Sequence, residues 1–181
     1  MMKLQLKDWI LAAMFAALIA ILAQVSIPIP ISPVPLTGQT LAIGLAATIL
    51  NKKTATLAAT LYLLLGAIGM PVFSQFTSGI GIILGPTGGY LVSFILVSFL
   101  ISLYLEKTSY SITQALIINH GAMIITLAIG TAWLKFASSL SWATAIAWGM
   151  TPFLIGGVAK AILSAWLGIK IRERLQAGRL L

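Results

Sequence analysis

Few side chains in this sequence are equipped for chemistry, and one of them stands where a membrane tolerates it least. Lys160 lies in Gly156-Gly157-Val158-Ala159-Lys160-Ala161-Ile162-Leu163, within a long apolar run that ends only at Lys170. Ten residues of helix, at roughly 1.5 Å each, put it about 15 Å from that end, near the bilayer centre. An ammonium there costs about 2.5–3.5 kcal/mol on insertion scales. Snorkelling gains about one helical turn, which is short of the interface. An anionic or strongly polar partner is therefore required. The chain has three acidic residues, Asp8, Glu106 and Glu173. Asp8 and Glu173 belong to the terminal basic segments, and Glu106 sits beside Lys107 at a span end. With no intramembrane carboxylate, the counter-charge of Lys160 is expected to arrive with a ligand.

Catalysis has little to work with. There is no cysteine and a single histidine, His120 beside Asn119, with no nucleophile–base–orienter set to place around it. His120 reads as a hydrogen-bonded packing residue. No catalytic residue and no metal site are expected, because a lone histidine without carboxylates does not make a usual metal centre. Proton-coupled transport uses buried acids as relays, and none lies in a span. Without a nucleotide motif either, the chain is expected to bind a solute and to borrow energy from elsewhere, or merely to bind.

The elements that must position Lys160 follow from composition. Of 181 residues, 60% are hydrophobic and only 8% charged, against about 25% charged in soluble domains. This is the composition of an integral membrane protein. The net charge of +8 sits at span ends, a topology signal and not a nucleic-acid footprint. Six spans are expected, near Asp8–Ile27, Thr37–Leu50, Thr54–Gly69, Gly85–Leu105, Ile112–Leu134 and Trp142–Ile169, in a single domain over residues 1–181. The second and third are short, so their outer ends should pack under loops. The sixth carries Gly149, Pro152, Gly156 and Gly157, so its outer part should be kinked or separate. The first is long and lacks a cleavage site, and so reads as retained.

Basic residues set the orientation. Lys3, Lys7, Lys52, Lys53, Lys107, Lys170, Arg172, Arg174 and Arg179 gather on one side, against Lys135 alone on the other. Both termini are expected in the cytoplasm. Every proline falls on the outer half. Pro28 to Pro35 cannot be helical and should run as a polyproline-like arm, an apolar lid carrying Pro30, Pro33, Val34 and Pro35. Pro71–Leu84 is long and uncharged, with aromatics among small polar residues, as in a loop dipping into protein. Gly85-Pro86-Thr87-Gly88-Gly89-Tyr90 then opens a helix whose start can approach a ligand closely. Polar contributors to a site could be Gln39, Thr40, Gln75, Thr77, Thr87, Asn119 and Gln114, with walls from Phe73, Phe76, Tyr90, Trp133 and Trp148. In the first span, Ala12, Ala13, Ala16, Ala17 and Ala20 form a small-residue face suited to close helix approach, by this chain or by a partner.

Three of these stretches together carry a resemblance. Pro33-Val34-Pro35-Leu36-Thr37-Gly38-Gln39-Thr40-Leu41, Tyr62-Leu63-Leu64-Leu65-Gly66-Ala67-Ile68-Gly69-Met70-Pro71-Val72-Phe73 and Gly85-Pro86-Thr87-Gly88-Gly89-Tyr90-Leu91 resemble BioY, the biotin-specific S component of energy-coupling factor transporters. The resemblance implies an all-α integral membrane S-component fold of six transmembrane helices in a bacterial or archaeal plasma membrane. It implies biotin as ligand, the first outer loop as lid, and no cofactor, ATP acting only through partners. Those partners would be a transmembrane coupling protein and two ATPase subunits, with Ala13 and Ala17 as the contact. Lys160 matches the family's lysine in the sixth span, but Gly157 stands where the family usually has an aspartate. The implied ligand contacts are Lys160, Gly157, Thr37, Gln39, Phe73, Gln75, Thr87, Gly88, Tyr90 and Asn119. A related S component for another small carboxylated solute, such as lipoate or dethiobiotin, stays open here, as does a membrane enzyme or scaffold.

Overall fold

Capping residues write the helix starts. The computed structural model describes residues 5–178 and is all-helical apart from one short strand pair. Lys3 and Arg179, assigned above to the basic side, lie outside the described residues. Helix α1 (Leu6–Ala23) begins with a capping box in which the Asp8 carboxylate accepts from the Gln5 N–H at 2.9 Å. Strands β1 (Ser26–Ile27) and β2 (Leu36–Thr37) lead into α2 (Gln39–Ile49). Helix α3 (Lys52–Ala67) starts at Asn51, whose side chain accepts from the Lys53 and Thr54 N–H groups. A 3₁₀ turn (Ser74–Phe76) and α4 (Ile80–Leu84) precede α5 (Gly88–Lys107). Ser111 and Ser141 cap α6 (Ile112–Ala137) and α7 (Trp142–Gly149) in the same way. A second 3₁₀ turn (Thr151–Phe153) joins α7 to α8 (Leu154–Ala177).

Four helical stretches have the length and composition to cross a membrane: α1, α5, α6 and the combined Trp142–Ala177 segment. The sixth expected span is indeed broken, at the 3₁₀ turn carrying Pro152. Helix α2 is short and almost wholly buried, packed between α8 and α5. Its neighbours, and not lipid, satisfy its apolar surface. Helix α1 buries Ala12, Ala16, Ile19 and Ala23, and it packs mainly on α3, while Ala13 and Ala17 are exposed on its outer side.

Three expectations need correction. The first span ends at Ala23, not Ile27, because Ser26–Ile27 leaves the helix to pair with Leu36–Thr37. That pairing (Ser26↔Thr37, Ile27↔Leu36) closes residues 28–35 into a hairpin-like loop, so the proline segment is not a polyproline arm. The backbone hydrogen bonds of the strands hold the loop ends together, and a turn with Ser32 N–H donating to Ile29 O at 3.0 Å reverses the chain. The expected Pro71–Leu84 loop contains α4, and the next helix begins at Gly88, not Gly85.

The basic sides of the helices meet at one end of the bundle. Lys52 pairs with Glu106 at 2.8 Å. Thr54 donates to Asp8 at 3.0 Å. The Arg172 guanidinium donates to the Ile49 carbonyl and stacks over the Tyr110 ring, 3.5 Å from its centroid. The proline-bearing loops cover the other end.

Candidate functional site

Four helices turn one face each into a common cavity. On α6 the stripe is Asn119, Ala122, Met123, Thr126 and Leu127, and on α8 it is Gly157, Lys160, Ala161 and Ser164. Both follow the i, i+3, i+4, i+7 spacing of a helical face. Helix α2 contributes its first turns, and α5 an aromatic and aliphatic wall from Tyr90 to Ile101. The volume is about 270 Å³, a space for a small organic solute and far more than one water needs. Helices α2, α6 and α8 approach closely at Gly44: a Cβ there would lie 2.8 Å from Asn119 Oδ1 and 2.7 Å from Ser164 Cβ. The missing side chain lets the three polar-bearing helices converge.

Lys160 is half-buried in the wall. Its ammonium donates to the Thr37 carbonyl at 3.0 Å, and no carboxylate among the described residues pairs with it. The sequence-based expectation thus needs one refinement. The described residues supply a carbonyl dipole, delivered by the end of β2, but no counter-charge. An ammonium has three donors, so one carbonyl leaves it with capacity toward the cavity.

Around Lys160 the polar groups are ordered by one another. Thr37 Oγ1 donates to Gln39 Oε1 at 2.8 Å, and Gln39 Nε2 donates to the Tyr62 hydroxyl. Tyr62 meets Phe73 edge-on, with ring centroids 5.6 Å apart. Asn119 spends both amide hydrogens within the protein, on Thr48 Oγ1 at 3.0 Å and on Ala115 O at 2.9 Å. It therefore faces the cavity as an acceptor. The Tyr90 hydroxyl donates to Gly149 O at 2.6 Å and is anchored there.

Most of the expected contacts converge. Lys160, Gly157, Thr37, Gln39, Phe73, Gln75, Thr87, Tyr90 and Asn119 all line the cavity, as do Pro33, Val34 and Pro35 of the loop above it, Val34 being buried. Pro30 does not: it sits in the exposed turn of that loop. Gly88 does not either, because its backbone packs beneath the Ile83 carbonyl, where a Cβ would collide. Gln114 is also elsewhere, accepting from the Tyr104 hydroxyl at 2.6 Å near the basic end. Of the proposed aromatic walls only Phe73 and Tyr90 serve. Phe76 is exposed, Trp133 donates to Gly85 O at 2.9 Å, and Trp148 packs against the cluster of Val34, Tyr90 and Phe153 without lining the cavity itself. His120 bonds to Leu116 O at 2.7 Å, off the cavity.

Several site residues escaped the sequence reading. Thr126, Met123 and Ser164 are ordinary residues in apolar helices, and only the helical stripe through Asn119 or Lys160 pointed to them. Gln24 is a positioning residue of the same kind. Its amide donates to Phe73 O at 3.1 Å, and its carbonyl accepts from Phe76 N–H at 2.9 Å. This clamp holds the loop in which Gln75 and Phe76 adopt left-handed backbone (φ 59° and 57°), a conformation that non-glycine residues keep only when their surroundings enforce it. Gly157 admits Met123, whose sulfur lies 2.6 Å from where a Cβ would stand.

Comparison with known proteins agrees in outline with this geometry. Residues 1–177 match the BioY family. A curated relative described as biotin transporter BioY2, from Lactococcus lactis subsp. cremoris, is 44% identical over 175 residues, covering 97% of this chain and 95% of the relative. The biotin transporter BioY of Thermotoga maritima is 38% identical over 168 residues, covering 93% and 97%. A crystal structure described as the S-component for biotin from an ECF-type ABC transporter superposes with a TM-score of 0.85 at 31% identity. It covers 92% of this chain and 91% of that one.

Proposed function

The chain belongs to the BioY family, and we propose that it is a biotin-binding membrane subunit for vitamin uptake whose cavity is the biotin site. It is a multi-pass plasma-membrane protein. The observation that carries the site assignment is Lys160: a cation in the cavity wall with a carbonyl but, among the described residues, no carboxylate beside it. Biotin brings a carboxylate, an uncharged ureido ring and an apolar body. The cavity offers an ammonium, hydrogen-bonding side chains and an aliphatic–aromatic wall to match. The relatives are named for biotin, and neither lipoate nor dethiobiotin is favoured over it.

In this reading the chain crosses the membrane six times, the short α2 and α3 being completed by their neighbours and by the loops above them. Both termini then lie in the cytoplasm, with the basic end. Residues 28–35 act as the lid. The solved relative's description as part of an ECF-type ABC transporter supports a transmembrane coupling protein and two ATPase subunits as partners. The exposed Ala13 and Ala17, one helical turn apart, offer the small-residue surface for the coupling protein.

Calorimetry with the purified full chain tests the assignment. Biotin should bind at one site per chain, and biotin amide, which lacks the charge, should bind more weakly. In Lys160→Ala the difference between the two ligands should shrink sharply. Absence of biotin binding to folded protein overturns the function. Equal discrimination by wild type and variant overturns the role of Lys160.

A further inference from the structure

Several hydroxyls and amides inside the helices are satisfied by one device: they bond back to a carbonyl four residues earlier. Thr56 donates to Lys52 O at 2.6 Å, Thr60 to Thr56 O at 2.8 Å, Ser102 to Ser98 O at 3.0 Å and Asn119 to Ala115 O at 2.9 Å. Thr126 has no such bond. Only 4% exposed, it lines the cavity, yet its hydroxyl makes no hydrogen bond among the described residues. Thr40, on α2 and lining the same cavity, also has an unpartnered and shielded hydroxyl. Ser98 Oγ is unpartnered too, but it lies off the cavity. In a water-poor interior a hydroxyl forgoes its carbonyl only at a cost, unless a partner arrives.

We propose that Thr126, assisted by Thr40, is a specificity-determining residue that hydrogen-bonds the uncharged polar part of the ligand, leaving the carboxylate to Lys160. Resting on the biotin reading above, this assigns the ureido ring to the hydroxyls. A hydroxyl both donates and accepts, so it suits a ring that offers N–H and C=O groups side by side. Asn119, two turns earlier on the same face of α6, adds an acceptor to the same wall. The site then has two recognitions that fail independently. One reads charge, and the other reads an amide-like ring.

The test compares Thr126→Val, which keeps the shape and removes the hydroxyl, with Thr126→Ser, which keeps the hydroxyl. Binding of biotin and of biotin amide is measured on the full chain by calorimetry or by competition with labelled biotin. Thr126→Val should weaken both ligands by the same factor, about tenfold, while Thr126→Ser stays close to wild type. Thr40→Val should act in the same direction. Unchanged binding in Thr126→Val overturns the proposal, and so does a loss confined to biotin, since the hydroxyl would then serve the carboxylate. A Thr126→Ser variant as weak as Thr126→Val would show that the methyl group's packing matters instead. If the valine variant does not fold, Thr126→Ala against Thr126→Ser makes the same comparison. Wild-type protein that ignores biotin refutes the function itself, a result separate from any behaviour of these variants.

Discussion

Two cations enter the interior of this protein, one from each end, and they are satisfied in opposite ways. Arg172, at the basic end, donates to the last turn of α2 through Ile49 O and lies flat on the Tyr110 ring. Its charge meets the negative end of the α2 dipole and a π face, and Glu106 sits nearby at the ion pair with Lys52. Lys160, on the same helix but three turns earlier, has one carbonyl and an open cavity. Although its Nε is left without a partner, Arg172 spends its other contacts on the chain and holds elements together. A cation left short of partners beside a void is held ready for something else. On the proposed reading, the first charge is structural and the second serves the ligand.

The largest effect that sharpens this comparison is at Lys160. Lys160→Met should weaken biotin binding by about 2–5 kcal/mol, yet leave the unliganded protein as stable as before or more so, because an apolar isostere removes a poorly compensated charge. Calorimetry and thermal unfolding of the same preparation check both halves. A variant that unfolds easily would mean the ammonium is structural after all.

Arg172→Met should show the reverse pattern. Loss of the charged hydrogen bond and of the ring stacking should lower stability by about 1.5–3 kcal/mol, with biotin affinity in the folded fraction unchanged. Thermal unfolding with and without biotin reads this out. A drop in affinity as large as the drop in stability would show that the two ends are coupled.

The smallest effect is a pH dependence. Tyr110 lies in the connection between α5 and α6, outside the spans. Burial pushes its phenol above the ordinary value, against the pull of Arg172 and with help from Glu106. A raised folded value means that its contribution is intact below the ordinary value near 10 and is lost as pH climbs through the folded one. Stability should therefore fall in strongly alkaline buffer, and Tyr110→Phe should remove that part of the decline. Alkaline titration followed by tyrosine absorbance tests it, and an unshifted Tyr110 signal counts against the packing described.

Much of this was legible before any coordinates. A charge inside an apolar run is costly wherever the run folds, so Lys160 declared itself from composition and spacing alone. The break in the last span followed from Pro152, which cannot donate a backbone hydrogen bond. Apolar length and basic flanks identified a membrane protein, and the three quoted motifs suggested its family. What the residues could not disclose is what meets what. The strand pair β1–β2 depends on contacts between segments that have no strong strand pattern of their own, so the proline segment read as an arm. Gly88 and Gly157 look alike in sequence, yet one packs under a carbonyl and the other borders the cavity. Thr126 is indistinguishable from Thr56 or Thr60 by type. Only the tertiary arrangement turns it toward a void instead of lipid or a neighbouring helix. Local chemistry fixes the cost of burying each group, but the packing of helices distant in sequence decides which groups find their partners inside the chain and which are left for a ligand.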